Sequence, residues 1–152
     1  YFAIKTIDEI GNTSILSNVT SATTTTPAVL QADSLSVDTS AIVLAGQNKQ
    51  ITGITVTNTG TSNITISTMT ISWTGGASGN NVQQITINGS SLWSGNVTTG
   101  TIIDITDFTL ISGAGAYNIN QIGFKKSIQG ATVSITFTMA DASTKTISGL
   151  AL

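Results

Sequence analysis

The sequence predicts an all-β protein, an antiparallel β-sandwich preceded by an extended strand or hairpin. Three observations lead there. Almost a third of the residues are Thr or Ser, and charged residues make up 8% of the chain against a usual quarter, while the hydrophobic share of 39% is ordinary. Thr, Ile and Val are β-branched and fit a pleated, half-buried surface, whereas helical periodicity is nearly absent. From Asp33 onward, apolar and polar residues alternate in segments separated by turn signals at intervals of about ten residues, as in a sandwich. At 152 residues and 15.5 kDa, the chain has room for one full domain with a short appended element.

Residues 1–24 read as a terminal hairpin. Phe2, Ile4 and Ile7 mark one strand, Asp8 to Asn12 the turn, and Ile15 and Val19 the returning strand. A lone two-stranded hairpin is at best marginally stable in water, so these five apolar residues are expected to meet a second molecule or a neighbouring domain. Residues 25–32 form a Thr/Pro linker in which Pro27, the only proline, fixes φ and biases Thr26 towards extended backbone.

Residues 33–152 form the sandwich. Strands are expected near Ser34–Val37, Ala41–Leu44, Lys49–Asn58, Ser62–Trp73, Val82–Ile87, Ser91–Trp93, Thr101–Ile105, Phe108–Ile111, Tyr117–Phe124, Thr132–Ala140 and Ser143–Leu150. Alternation assigns Ile54 and Val56, Ile64 and Ile66, Ile85 and Ile87, Ile122 and Phe124, and Val133 through Met139 at every second position to the core. Between Asn63 and Trp73 the apolar parity moves from even positions to odd ones (Met69, Ile71, Trp73), which calls for a β-bulge near Ser67 or Thr68. Asp141-Ala142 is the tight connection of the last hairpin.

On these motifs, Tyr1 to Thr24 resembles the final two strands of a fibronectin type III domain, over about a sixth of the chain. Ile51 to Trp73, with its Asn-Thr-Gly turn, resembles the early hairpin of immunoglobulin-like modules in prokaryotic surface proteins and in the heads of pilin-like proteins. Ser91-Leu-Trp-Ser-Gly and the segment from Ile135 to Asp141 fit the same likeness. It implies an immunoglobulin-like sandwich and a structural, cell-surface role. A pilin's long hydrophobic N-terminal helix has no counterpart in this sequence.

The composition narrows the chemistry. His and Cys are absent, leaving seven carboxylates and five lysines, so the common general base and nucleophile pairs are missing and the chain is read as a non-enzyme without cofactor. A net charge of −2 with no Arg speaks against nucleic acid, and no apolar run reaches the roughly 18 residues of a membrane span. Asp104, Asp107 and Asp141 are the weak candidates for an oxygen-ligated metal site, set against turn-capping roles. Trp73 and Trp93 could stack on sugar rings, although both close apolar alternations and so suit packing. Sequons at Asn12, Asn18, Asn63, Asn88 and Asn96 would accept glycans where the host attaches them. The Asn-rich stretches at Asn80-Asn81 and Asn118 to Asn120 are read as turns.

The functional expectation is an extracellular or cell-surface prokaryotic subunit. It would join head-to-tail into a filament or other self-assembly by adding its N-terminal hairpin to a neighbouring subunit. The alternative is an adhesive or carbohydrate-binding module of a larger multi-domain surface protein, with residues 1–24 completing a neighbouring domain.

Overall fold

A computed structural model describes residues 5–14 and 28–152 of the chain. Residues 28–152 form two antiparallel sheets packed as a sandwich. The seven-stranded sheet centres on β9 (Ala116–Phe124). On one side β9 pairs with β3 (Gln50–Thr52) and β4 (Ile54–Asn58), and on the other with β6 (Val82–Ile87). β1 (Leu35–Asp38) covers β4, β2 (Val43–Ala45) covers β3, and β7 (Ser90–Val97) covers β6. The second sheet runs in the order β11 (Thr144–Ala151), β10 (Thr132–Met139), β5 (Ile64–Thr74) and β8 (Ile102–Leu110).

Twenty-five buried apolar residues fill the space between the sheets, and Ile dominates them. This follows from the alternation, since a β-branched side chain loses little rotamer freedom on a pleated surface and packs closely there. Every core position expected from the sequence is buried.

The parity change in β5 is resolved by a bulge at Ser67. Thr68 faces Thr138 and Ile66 faces Met139, so Ser67 is one residue extra against β10. Without it, either Ile64 and Ile66 or Met69 and Ile71 would turn towards solvent.

Other boundaries differ from expectation for identifiable reasons. The segment expected as one strand from Lys49 to Asn58 is divided at Gly53, whose φ is +78°. There the loop after β1 comes so close that a Cβ on residue 53 would lie 1.9 Å from the Ala41 carbonyl oxygen. Conversely, the two strands expected on either side of Thr106 are one strand, β8. Its partners on β5 step from Phe108–Ile66 to Asp104–Thr68, so the polar Thr106-Asp107 pair is absorbed as a bulge rather than a turn. The linker gives way to the sandwich before its expected end. Gln31 to Ser34 form a 3₁₀ turn, Ala32 is buried, and the Gln31 side-chain oxygen accepts the Thr65 N–H at 2.8 Å.

Two buried asparagines close the ends of the sandwich. Asn58 donates to the carbonyls of Ser62 (2.8 Å) and Leu110 (3.0 Å) and accepts the Gly60 N–H, tying β4 to the opposite sheet. Asn80 donates to the carbonyls of Lys126 and Ser127 and accepts the Lys126 N–H at 2.8 Å, joining the β5–β6 and β9–β10 connections. The stretch expected as a turn around Asn118 and Asn120 lies within β9. There Asn120 accepts the Gly89 N–H at 2.7 Å and orders the β6–β7 turn.

Gly53 and Gly89 allow a comparison of strain with crowding. Both have positive φ, but a Cβ on Gly89 would meet nothing within 4 Å. Gly53→Ala is therefore expected to lose at least about 2 kcal/mol more stability than Gly89→Ala, the scale of overpacking penalties, in urea unfolding monitored by circular dichroism.

Candidate functional site

Within residues 5–14, the turn expected at Asp8 to Asn12 is present. Ile7 and Thr13 form an antiparallel bridge, and the Asp8 carboxylate accepts the N–H groups of Ile10 (3.1 Å) and Asn12 (2.8 Å) and the Asn12 amide (3.0 Å). The Asn12 backbone N–H, followed by its side-chain amide, holds the Asp8 carboxyl below its ordinary pKa. The result is a locally braced tip with Ile7 69% and Ile10 83% exposed. The other expected interface residues, Phe2, Ile4, Ile15 and Val19, and the sequon at Asn18 lie outside the described residues.

The three aspartates weighed as weak metal-ligand candidates against turn-capping roles are not brought together. Asp104 and Asp107 lie on β8, an edge strand, whereas Asp141 lies in the β10–β11 turn. Among the described residues, no three His, Cys, Asp or Glu side chains gather where they could hold a metal ion. Asp141 instead anchors the entrance to the sandwich. It accepts the Gln31 N–H at 2.8 Å, the Ser143 N–H at 3.0 Å and the Ser143 hydroxyl, while that hydroxyl oxygen accepts the Ala32 N–H at 3.0 Å. The Gln31 N–H and then the Ser143 hydroxyl depress the Asp141 pKa by stabilising the carboxylate.

Both tryptophans are half-buried and pack on the core. Trp73 meets Phe124 edge-on, with ring centroids 5.4 Å apart. The Trp93 ring covers Gly95 so closely that a Cβ there would lie 2.4 Å from it. Among the sequons, Asn12, Asn63, Asn88 and Asn96 are exposed. Asn12 uses its amide on Asp8, and Asn63 accepts the Ser112 N–H at 3.0 Å.

Two depressions went unread in the sequence. A groove of about 310 Å³ lies where the N-terminal segment enters the sandwich, between Val29 and Gln31 on one side and the β4–β5 connection up to Ile64 on the other. A second, of about 190 Å³, opens on the outer face of the seven-stranded sheet and is lined largely by glutamines. Its signals were a glycine inside a strand, Gly123, and Gln residues on three separate strands. Only the sheet register places these next to one another.

No known protein-family profile matches this chain, and no curated protein matches it.

Because Asp141 has a folded-state pKa below its unfolded one, its bonds stabilise the fold above the unfolded value, and that stability is lost as pH falls through the folded value. Asp141→Ala should therefore melt at a lower temperature than the wild type at pH 7. The two melting curves should converge as pH is lowered through the carboxylate range, as read by circular dichroism at a series of pH values.

Proposed function

We propose that the chain is an extracellular structural module of a prokaryotic filament or surface assembly, joined to its neighbour by addition of the N-terminal hairpin. One observation carries this reading. Of the seven large apolar side chains exposed among the described residues, four (Ile7, Ile10, Val29 and Leu30) lie in the N-terminal segment, ahead of the sandwich. A core that buries its Ile and Phe residues so completely leaves this segment as the apolar surface most in need of cover.

Magnitudes favour a backbone contribution to the contact. Covering four such side chains supplies about 1.5–3 kcal/mol each, the same scale as the roughly 4–15 kcal/mol lost on association. Strand pairing adds main-chain hydrogen bonds and fixes register.

Among the sheet edges, β11 is the most receptive. β8 carries Asp104, Asp107 and a bulge; β1 and β2 span four and three residues beside the Gly53 break; β7 loses register with β6 at two places. β11 keeps regular register from Thr144 to Ile147, steps once before Leu150, and has Lys145 as its only charge. Edge lysines and bulges are the usual defences against such pairing, and on β11 they amount to one lysine and a bulge confined to its C-terminal end.

Removal of residues 1–27 should abolish self-association while leaving a folded sandwich, and Thr144→Lys with Thr146→Lys on β11 should have the same effect. Size-exclusion chromatography with light scattering and negative-stain electron microscopy would read both. Filaments that persist in the truncated protein would sink the proposal. A monomeric full chain would favour the alternative, in which the hairpin completes a neighbouring domain of the same protein.

A further inference from the structure

On the outer face of the seven-stranded sheet, Gln50 of β3 and Gln84 of β6 sit on either side of Gly123 of β9 in the same register row. Ile51, Ile85 and Ile122 next to them are fully buried, so alternation turns the two glutamines and the glycine outward. The middle of the row therefore has no side chain. Gln121, two residues earlier on the same face of β9, bends over the gap; a Cβ on residue 123 would lie 2.8 Å from its Nε2. That Nε2 donates to the Gln84 Oε1 at 2.8 Å. A bulge in β6, where the partners step from Val82–Phe124 to Gln84–Gly123, adds Gln83 to the same wall. On the far side the Gln50 amide lies across Gly46, where a Cβ would be 2.8 Å from its Cδ.

We propose that this glutamine-walled notch binds a single neutral hexopyranose unit of a glycan. Four primary amides converge on it, and each offers two N–H donors and a carbonyl oxygen with two lone pairs. Bonds within the protein use two donor hydrogens and one acceptor site, in Gln121 Nε2 to Gln84 Oε1 and Gln84 Nε2 to the Ser91 hydroxyl at 3.5 Å, which leaves most of the capacity of the four amides for a ligand. Paired donors and acceptors at that density match the vicinal hydroxyls of a sugar ring, which also donate and accept. No carboxylate lines the notch, and Lys49 is its one cation, so neither a metal ion nor a polyanion is matched. A peptide cannot add as a strand here, because β9 is paired on both sides. At about 190 Å³ the notch is smaller than the roughly 300–1,000 Å³ typical of drug-sized ligands, which favours one ring over an extended ligand. The site is independent of the hairpin contact, and a sugar could bind whether or not the chain assembles.

The test is titration of the full-length protein with glucose, galactose, mannose and their methyl glycosides. Binding is followed by the side-chain amide signals in ¹⁵N-correlated NMR spectra, assigned by substitution. At least one sugar should produce saturable shifts at Gln50, Gln84 and Gln121. Gln84→Ala and Gln50→Ala should each weaken binding about tenfold, the scale of one lost hydrogen bond, and Gly123→Ser should remove it by filling the gap. Gln50→Ala leaves the Gln121–Gln84 bond intact and reports on the site even if Gly123→Ser misfolds. Absence of saturable shifts with every sugar would overturn the proposal, as would binding that survives undiminished in both glutamine variants. Tighter binding of glucuronate than glucose would overturn the assignment of a neutral ligand.

Discussion

The register between β5 and β10 is the constraint on which the rest of the sandwich depends. Inward, Met69 faces Phe137, Ile71 faces Ile135 and Trp73 faces Val133; outward, Thr68, Thr70, Ser72 and Thr74 face Thr138, Thr136, Ser134 and Thr132. A slip of one residue would exchange these sets, exposing the largest side chains of the core and burying hydroxyls. The chain has few charges to forbid such slips, so the contrast between the two faces must specify the pairing. Ser67 allows the contrast to hold along the whole of β5, and thereby sets where β8 and the β4–β5 connection attach.

Polar side chains take over where alternation ends. Asn58, Asn80 and Asp141 each satisfy several backbone groups at the sandwich ends, the places where a two-layer fold otherwise leaves carbonyls and N–H groups unpaired. Asp141 and Ser143 also hold Gln31 and Ala32, and so fix the point from which the exposed Val29 and Leu30 depart. Stability at this corner and presentation of the N-terminal segment are consequences of the same few bonds.

The fold was legible in the sequence because period-two alternation is a local signal, and a parity change such as that at Ser67 is visible within eleven residues. What was missed was non-local. Gly53 reads as an ordinary turn residue until the loop at Ala41 is seen pressing on it. Thr106-Asp107 has turn chemistry, yet pairing with β5 on either side keeps the strand going. Spacing along the chain could not decide between a carboxylate grouping and turn-capping aspartates, because it does not say which edge a residue occupies, and Asp141 is engaged by a segment 110 residues away. The glutamine notch needed three strands in register, which no single stretch encodes.

The hydroxyl rows on the four-stranded sheet have a further consequence. In the pairs Thr65–Thr109, at 3.1 Å, and Thr136–Thr146, at 2.9 Å, either oxygen can be the donor. Rotation of a hydroxyl reverses the direction of such a bond at little cost, so these pairs carry no permanent electrostatic sign, and the fixed charge beside them on this face is Asp104, opposite Thr68. Neither brine nor a change of acidity has much to act on within the hydroxyl pairs themselves. Hydroxyl pairs of this kind distinguish what they meet by shape and spacing rather than by charge.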